Sequence, residues 1–407
     1  MTGITILGAT GTVGLNTLAV LKQHPREFEV IALTANRDVQ QLASLCIEWC
    51  PRYAVMADPL SAQLLQHHLK AINSEVTVLS GVDGLIQVAS LPEVNMVMAA
   101  IVGSAGLLPT LAAAQAGKRI LLANKEALVM SGQLFMDTVQ QHQAELLPID
   151  SEHNAIFQCL PIHFRTLIAE ESLKKPNSTA GRLANIGVKR IVLTASGGPF
   201  RTMNPTDLHE VTPEQACAHP NWKMGRKISV DSATMMNKGL EIIEACWLFA
   251  TIPDRIQVVL HPQSIIHSLV EYVDGSMLAQ LSHPDMRIPI AHALAWPQRM
   301  ISGIDSINLA EIGRLEFEPL DFNRFPCLRL AYEAMLAGGT TTTILNAANE
   351  IAVQAFLQGQ IRFTDIHQVI ETTLSLLSGR EATQLDIILE DDAKARELAL
   401  EITLKMQ

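Results

Sequence analysis

The sequence predicts an α/β protein built from an N-terminal Rossmann-like parallel sheet, an α+β middle domain that carries the catalytic candidates, and a C-terminal helical domain. Three observations predict it. Over residues 1–150 short β-branched runs alternate with helical stretches; a glycine-rich turn follows the first run directly; and from Cys327 onward the apolar residues recur with helical spacing. The 407 residues are enough for two or three domains, each with its own core.

In the first 150 residues the strand candidates are Ile4–Leu7, Glu29–Leu33, Tyr53–Met56, Met96–Val102, Arg119–Leu122 and Glu145–Ile149, with helices such as Leu15–Gln23, Ser61–Leu69 and Leu107–Ala116 between them. Short loops between such units imply a parallel sheet covered on both faces. Past Asp150 the pattern changes. The polar stretch Glu170–Asn185 reads as a surface loop or insertion, followed by strand-like runs at Arg190–Thr194, Gln257–Leu260, Ile265–Tyr272 and Met277–Leu281 and a helix over about Lys238–Phe249. These make a middle domain over 151–296. Residues 297–322 are rich in turn formers and read as a connector. Residues 323–407 hold the helices Leu328–Ala337, Asn346–Phe356, Phe363–Leu377 and Ala393–Leu404.

Composition narrows the function. A net charge of -11 disfavours nucleic acid, which needs a basic face, but leaves room for an anionic small molecule in a locally cationic pocket. Six scattered cysteines without CxxC spacing imply reduced, mostly buried thiols rather than a disulfide frame or a zinc site. The N-terminus lacks the basic and apolar regions of a signal peptide. Val94–Gly117 is free of charge and long enough to cross a bilayer, yet Gly103, Ser104, Gly106 and Pro109 divide it into a strand-like and a helix-like half. No membrane segment is therefore expected.

Ile4–Leu7 runs into Gly8-Ala9-Thr10-Gly11-Thr12-Val13-Gly14. Glycines so spaced allow a tight turn and bring a pyrophosphate to the free N–H groups of a helix N-terminus, which points to a dinucleotide. The end of the second strand, Ala35-Asn36-Arg37-Asp38, bears on which one. Arg37 favours a 2′-phosphate and hence NADPH, while Asp38 pulls against that preference.

Asp150-Ser151-Glu152-His153-Asn154 follows the last strand of this region. On an extended segment residues two apart point the same way, so Asp150 and Glu152 can converge on one ion. Hard oxygen donors without thiolates suit Mg²⁺ or Mn²⁺, with Co²⁺ a further candidate, and Glu241 can supply a third oxygen. Taken alone, such a pair is more often a solvated strand end. Ser151 beside His153 lacks a GxSxG elbow, so a serine hydrolase is not indicated. Thr194-Ala195-Ser196-Gly197-Gly198 offers phosphate-binding chemistry at a strand end. Ser232 to Lys238 adds a hydroxyl, the Asn237 amide and an ammonium near a helix start, where capping is the competing role. Lys238 and Glu241 share a helical face. Ala216–Lys227, with Pro220, Trp222, Met224 and Gly225, reads as a loop that closes over substrate or as an ordinary surface loop.

Together, these motifs resemble the 1-deoxy-D-xylulose 5-phosphate reductoisomerase family. The match rests on GATGTVG, LLANKEALV at Leu121–Val129, LPIDSEHNAIFQ at Leu147–Gln158, SGGPFR at Ser196–Arg201, HPNWKMGRKISVDSATMMNKGLE at His219–Glu241, HPQSIIHS at His261–Ser268 and LNAANE at Leu345–Glu350. The resemblance implies NADPH contacts at Thr10, Gly11, Thr12, Val13, Asn36, Arg37, Asp38, Asn124, Glu126 and Gly225. It implies metal carboxylates at Asp150, Glu152 and Glu241. Substrate contacts are implied at Lys125, Ser151, Glu152, Ser196, His219, Ser232, Asn237, Lys238 and Glu241, with Lys125 and His219 counted among the catalytic residues with the metal carboxylates. The substrate implied is a phosphosugar, and the family converts 1-deoxy-D-xylulose 5-phosphate to 2-C-methyl-D-erythritol 4-phosphate for isoprenoid synthesis as a homodimer. Without a plastid transit extension, a bacterial-type cytoplasmic enzyme is expected. The sequence departs from the family at Asn36-Arg37-Asp38, where a Gly-Lys-Asn-like triplet is common, and in the Leu173–Asn185 insertion. A plain NADP-dependent dehydrogenase would leave the carboxylates and the Ser196/Lys238 group idle, and an NADPH-sensing regulator would not need them.

Overall fold

The computed structural model describes residues 1–162, 164, 181–222, 224–322 and 324–406, the side chains of residues 181 and 182 aside. The first half alternates strand and helix: β1 (Thr2–Leu7), α1 (Thr12–Leu21), β2 (Phe28–Ala35), α2 (Val39–Trp49), β3 (Tyr53–Met56), α3 (Pro59–Ala71), β4 (Thr77–Ser80), α4 (Gly81–Ser90), β5 (Met96–Ala99), α5 (Leu107–Gln115), β6 (Arg119–Leu122), α6 (Lys125–Gln141), β7 (Glu145–Pro148) and α7 (Ser151–Cys159). All seven strands are parallel, in the order β4-β3-β2-β1-β5-β6-β7. The chain winds outward on one side of β1 and then returns to β5 on the other. This creates a crevice at the carboxyl ends of β1 and β5, where open α/β sheets bind ligands.

Local chemistry sets these elements. Ile4, Ile6 and Leu7 are fully buried because helices cover both faces of the sheet, each burial contributing on the order of 1.5–3 kcal/mol. Asp58 caps α3 by accepting from the Ser61 N–H at 2.8 Å, with Pro59 at the first helical position. The run expected to continue to Val102 leaves the sheet after Ala99, since Ala100 opens the crevice loop and Gly103 turns at φ +76°. The edge strand β4, mostly exposed or half-buried, and the helices α2, α4 and α6 have no counterpart among the expected elements.

The second half continues with α8 (Gly181–Asn185), β8 (Val188–Ala195), α9 (Pro213–Cys217), α10 (Arg226–Ala233), α11 (Met236–Leu248), β9 (Ile256–Leu260), β10 (Ile266–Tyr272), β11 (Met277–Leu281), α12 (Arg287–Ala295), α13 (Leu309–Ile312), α14 (Pro326–Ala337), α15 (Thr341–Leu357), α16 (Asp365–Leu376) and α17 (Leu385–Met406). The polar stretch from Glu170 lies mostly outside the described residues; its end, Gly181–Asn185, is helical rather than loop. Four strands form a mixed sheet ordered β11-β10-β8-β9, with β8 parallel to β9 and antiparallel to β10. Helix α7 packs on β10 and β11. Helices α14–α17 pack together, with α14 against α11 and α15 against α6 and α10, so one apolar cluster joins Val129, Leu240, Leu345 and Ile370. The C-terminal bundle therefore buttresses the crevice. Among the described residues no helix is long and apolar enough to cross a membrane, and Val94–Gly117 resolves into β5, the crevice loop and α5.

Candidate active site

The loops after β1, β5, β6, β7 and β8 open on one cleft of about 460 Å³, together with the segment 219–232 and the start of α11. The glycine turn forms its floor. Gly8 adopts φ +82°, and a Cβ on it would meet the Ala100 carbonyl oxygen at 2.6 Å. A Cβ on Gly14 would meet the Ala9 Cα at 2.6 Å, so glycine is what lets α1 start beneath the turn. Helix α1 begins at Thr12 with no side chain capping it, which leaves its first N–H groups for an anion.

The positions after β2 divide in use. Asp38 accepts from the Gln41 N–H at 3.0 Å and caps α2, so its carboxylate has a structural role. Arg37 extends into solvent, 79% exposed, with Asp58 3.7 Å away as a loose counter-ion. On the opposite wall Asn124 caps α6 through the Ala127 N–H at 2.7 Å, and its amide donates to the Gly103 carbonyl at 2.9 Å and to the Ile101 carbonyl. That side chain shapes the crevice loop. Glu126 is paired with Lys227 at 2.6 Å, and Gly225 starts α10 with open space around its Cα.

The carboxylates do converge, but not as an extended pair. β7 ends at Pro148, Asp150 sits at the N-cap of α7, and Glu152 lies in that helix's first turn. The ligand oxygens of Asp150, Glu152 and Glu241 all lie within 4.8 Å of one another. Two buried ammonium groups share them. Lys125 reaches Asp150 at 2.5 Å, the Asn237 side-chain oxygen at 2.8 Å and Glu241 at 3.6 Å. Lys238 donates to Glu152 at 2.9 Å and to Glu241. Lys238 thus faces the carboxylates rather than standing apart as a phosphate ligand. Neither Ser232 nor Asn237 caps a helix: Ser232 lies within α10, and the N-cap position of α11 is Met235.

Three acids facing two ammoniums leave one carboxylate short of compensation. Burial drives the Glu241 carboxyl up to about 7, and Glu152 adds to the rise against Lys238. Asp150 goes the other way: burial opposes its charge, but Lys125 and His153 hold it well below the usual range. Lys125 stays charged because Asp150 and Glu241 outweigh its burial. A site with surplus negative charge and mostly hard oxygen donors fits a divalent cation.

Behind this cluster lies a pair that sequence reasoning missed. His153 and Glu244 are both fully buried, with Nδ1 3.2 Å from a Glu244 oxygen and 3.6 Å from Asp150. Nε2 of His153 donates to the Glu241 carbonyl at 2.8 Å, tying α7 to α11. Burial opposes the imidazolium, but Glu244 and Asp150 raise it to about 9, while burial lifts Glu244 to about 7. One signal was available: Glu244 is one helical turn beyond Glu241.

Ser196 follows β8 directly, where Gly197 and Gly198 take φ +81° and +67°. His219 Nδ1 accepts from the Asn221 and Trp222 N–H groups at 3.2 and 3.0 Å, so the proton must sit on Nε2. Nε2 then donates to Ser196 Oγ at 2.8 Å, as does the Gly198 N–H at 3.2 Å. With both donors on its oxygen, the Ser196 hydroxyl proton points outward. Burial lowers the His219 pKa and keeps the ring neutral. The segment expected as a loop over Ala216–Lys227 is helical at both ends and irregular over 218–225, with residue 223 outside the described set. It is latched on the HPQSIIH stretch: Asn221 donates to the Pro262 carbonyl at 2.6 Å, and Trp222 meets the His267 ring edge-on at 6.0 Å.

The 1-deoxy-D-xylulose 5-phosphate reductoisomerase family model matches residues 4–132, and two models of that family's C-terminal domains match 146–249 and 281–398. The reductoisomerase of Nitrosomonas europaea is 58% identical over 98% of this chain and 93% of its own length. That of Stutzerimonas stutzeri is 57% identical over 97% and 96%. A crystal structure of DOX-P reductoisomerase with NADPH, fosmidomycin and magnesium superposes with a TM-score of 0.92 at 46% identity, covering 100% of this chain and 98% of that one. The Zymomonas mobilis enzyme in complex with NADPH gives 0.87 at 44% identity over 99% of both chains. With relatives this similar along nearly its full length, the chain belongs to the 1-deoxy-D-xylulose 5-phosphate reductoisomerase family.

Proposed function

We propose that this cleft binds NADPH, a divalent cation and 1-deoxy-D-xylulose 5-phosphate, and converts the phosphosugar to 2-C-methyl-D-erythritol 4-phosphate. The observation that carries the reading is the convergence of Asp150, Glu152 and Glu241 beside Lys125, in a cleft floored by the glycine turn. Asp150, Glu152 and Glu241 would hold Mg²⁺ or Mn²⁺, with Co²⁺ meeting the same oxygen-donor requirement. Such an ion, when bound, polarises the substrate carbonyl and neutralises charge developing on its oxygens. NADPH supplies the hydride for the reduction.

The chain's own residues do the rest. Lys125 holds a permanent charge between Asp150 and Asn237 and orients the substrate oxygens beside it. Ser151 and Glu152, in the first turn of α7, face the same space. Ser196, its hydroxyl proton turned outward by His219, joins Ser232, Asn237 and Lys238 in gripping the phosphate. With a cation held by Glu152 and Glu241, the Lys238 ammonium would be free to turn toward that phosphate. Phosphate binding away from the reacting carbons supplies orientation. The His219–Gly225 segment, with Trp222, excludes water over the intermediate.

For the cofactor, the α1 N-terminus at Thr12 and Val13 and the turn at Thr10 and Gly11 take the pyrophosphate, and Arg37 beside Asn36 takes the 2′-phosphate. Asn124, Glu126 and Gly225 bound the nicotinamide end. Residues 1–150 then form the cofactor domain, 151–296 the catalytic domain, 297–322 a connector and 323–407 the buttressing bundle. The molecule is a cytoplasmic homodimer in this reading. Support for the dimer comes from β11 at the open edge of its sheet, with Val273, Met277 and Leu278 exposed beside it. The test is product identification by NMR after incubation with all three ligands. Appearance of 2-C-methyl-D-erythritol 4-phosphate supports the reading; reduction of the unrearranged ketose instead overturns it.

A further inference from the structure

The LNAANE stretch on α15 has no part in the chemistry above, yet two of its adjacent residues reach two segments at the cofactor end of the cleft. Asn349 donates to an Asp231 oxygen at 2.9 Å, and the other Asp231 oxygen accepts from Lys227 at 2.8 Å. Lys227 in turn holds Glu126 at 2.6 Å. This chain of contacts ties the first turn of α6 to the start of α10, which begins directly after Gly225. At the crevice loop that Asn124 holds, Glu350 accepts from the Ser104 N–H at 3.2 Å and pairs with Arg396 of α17 at 2.6 Å. Arg396 also donates to the Ser104 hydroxyl at 3.0 Å, so the turn that ends the crevice loop is gripped from the bundle.

Asp231 is 1% exposed, Glu126 9% and Lys227 20%. Buried ion clusters of this kind add little net stability compared with apolar packing, so what they fix is geometry. The residues fixed include Glu126 and Gly225, which border the nicotinamide end in the functional reading above, and the turn after Gly103, to which Asn124 of the same group is bonded.

We propose that Asn349 and Glu350 of the C-terminal bundle are positioning residues for the nicotinamide nucleotide: through Asp231–Lys227–Glu126 and through Ser104 at the end of the crevice loop, they hold the residues that border its end of the cleft. Neither residue touches the carboxylate cluster, so the metal and the phosphosugar are outside their reach. The inference rests on the reductoisomerase reading, and wild-type turnover tests that reading separately.

The experiment compares wild type with Asn349→Leu, Glu350→Gln and the pair Lys227→Met and Lys227→Arg, measuring KM for each substrate, kcat, and NADPH binding by fluorescence without phosphosugar. Removing one hydrogen bond to a buried charged group is expected to raise both the NADPH KM and its dissociation constant about tenfold. The KM for 1-deoxy-D-xylulose 5-phosphate and kcat at saturating cofactor should stay within about twofold, and Lys227→Arg should restore most of what Lys227→Met loses. The inference is overturned if folded variants bind NADPH like wild type, or if both KM values rise together. Should Asn349→Leu fail to fold, Glu350→Gln and the Lys227 pair decide by the same criterion. A wild-type enzyme that does not oxidise NADPH with the phosphosugar would sink the functional reading instead.

Discussion

Replacing Glu241 with glutamine should make the metal-free protein more stable while abolishing its activity. Glu241 is fully buried, and its carboxyl is raised from 4.5 to about 7, first by burial and then by Glu152. An acid whose folded pKa lies above its unfolded value loses stability as pH rises. The penalty is absent below about 4.5, grows between 4.5 and 7, and is complete above that. At pH 8 the ionised Glu241 therefore costs about 3 kcal/mol. Glutamine carries no charge, and its one side-chain oxygen can accept from Lys238, while its NH2 stands where the other carboxylate oxygen accepts from Asn237, leaving Asp150 and Glu152 against two ammoniums. The weaker neutral bond to Lys238 and the lost bond from Asn237 together return about 1–2 kcal/mol of that gain. Glu241→Gln in EDTA should thus be about 1–2 kcal/mol more stable than wild type at pH 8 and no more stable at pH 5. Urea unfolding at both pH values measures this, and the same samples with Mg²⁺ should show stabilisation of wild type alone. Turnover should fall at least about 100-fold, beyond what loss of a supporting contact costs. A variant less stable than wild type at pH 8 in EDTA, or one that keeps metal-dependent turnover, would refute the reasoning.

Arg37→Ala should weaken NADPH about tenfold and leave NADH unchanged, because a charge-assisted bond to the 2′-phosphate is lost; equal effects on both cofactors in fluorescence titrations would remove Arg37 from that role. In Gly14→Ala the added Cβ lies 2.6 Å from the Ala9 Cα, so the turn must shift at a cost of about 2 kcal/mol. NADPH affinity should drop while Mg²⁺ binding persists, and unchanged cofactor affinity would clear the glycine turn of a binding role. Leu278→Lys places a charge beside the open edge of β11 and should convert a dimer to monomers in sedimentation experiments; a dimer that persists would put the interface elsewhere.

The parallel sheet is legible wherever a run is buried on both faces, as in Tyr53–Met56 and Arg119–Leu122, whose bounds the sequence marks residue for residue. It is illegible where packing does not filter composition: β4 lies at the sheet edge with Thr77 and Ser80 exposed, and nothing in its pattern separates it from a loop. Asp150 and Glu152 are legible as a pair but not as a geometry. The strand logic fails because Asp150 starts α7, and both carboxylates converge through a helix N-terminus instead. The pairing of Lys238 with Glu241 is visible in the sequence as i,i+3 spacing on one helix, but its second partner, Glu152, follows from how α7 meets α11. Contacts between distant segments, such as His153 with Glu244 or Asn349 with Asp231, have no local signature. They arise only when the bundle and the sheet pack together.

The central claim, that one cleft couples a carboxylate-held cation to hydride transfer, is tested most directly by following NADPH consumption with 1-deoxy-D-xylulose 5-phosphate and Mg²⁺, then adding EDTA and finally excess Mg²⁺. The account expects oxidation that the chelator stops and the metal restores. Oxidation indifferent to EDTA, or none with all three ligands present, would contradict it.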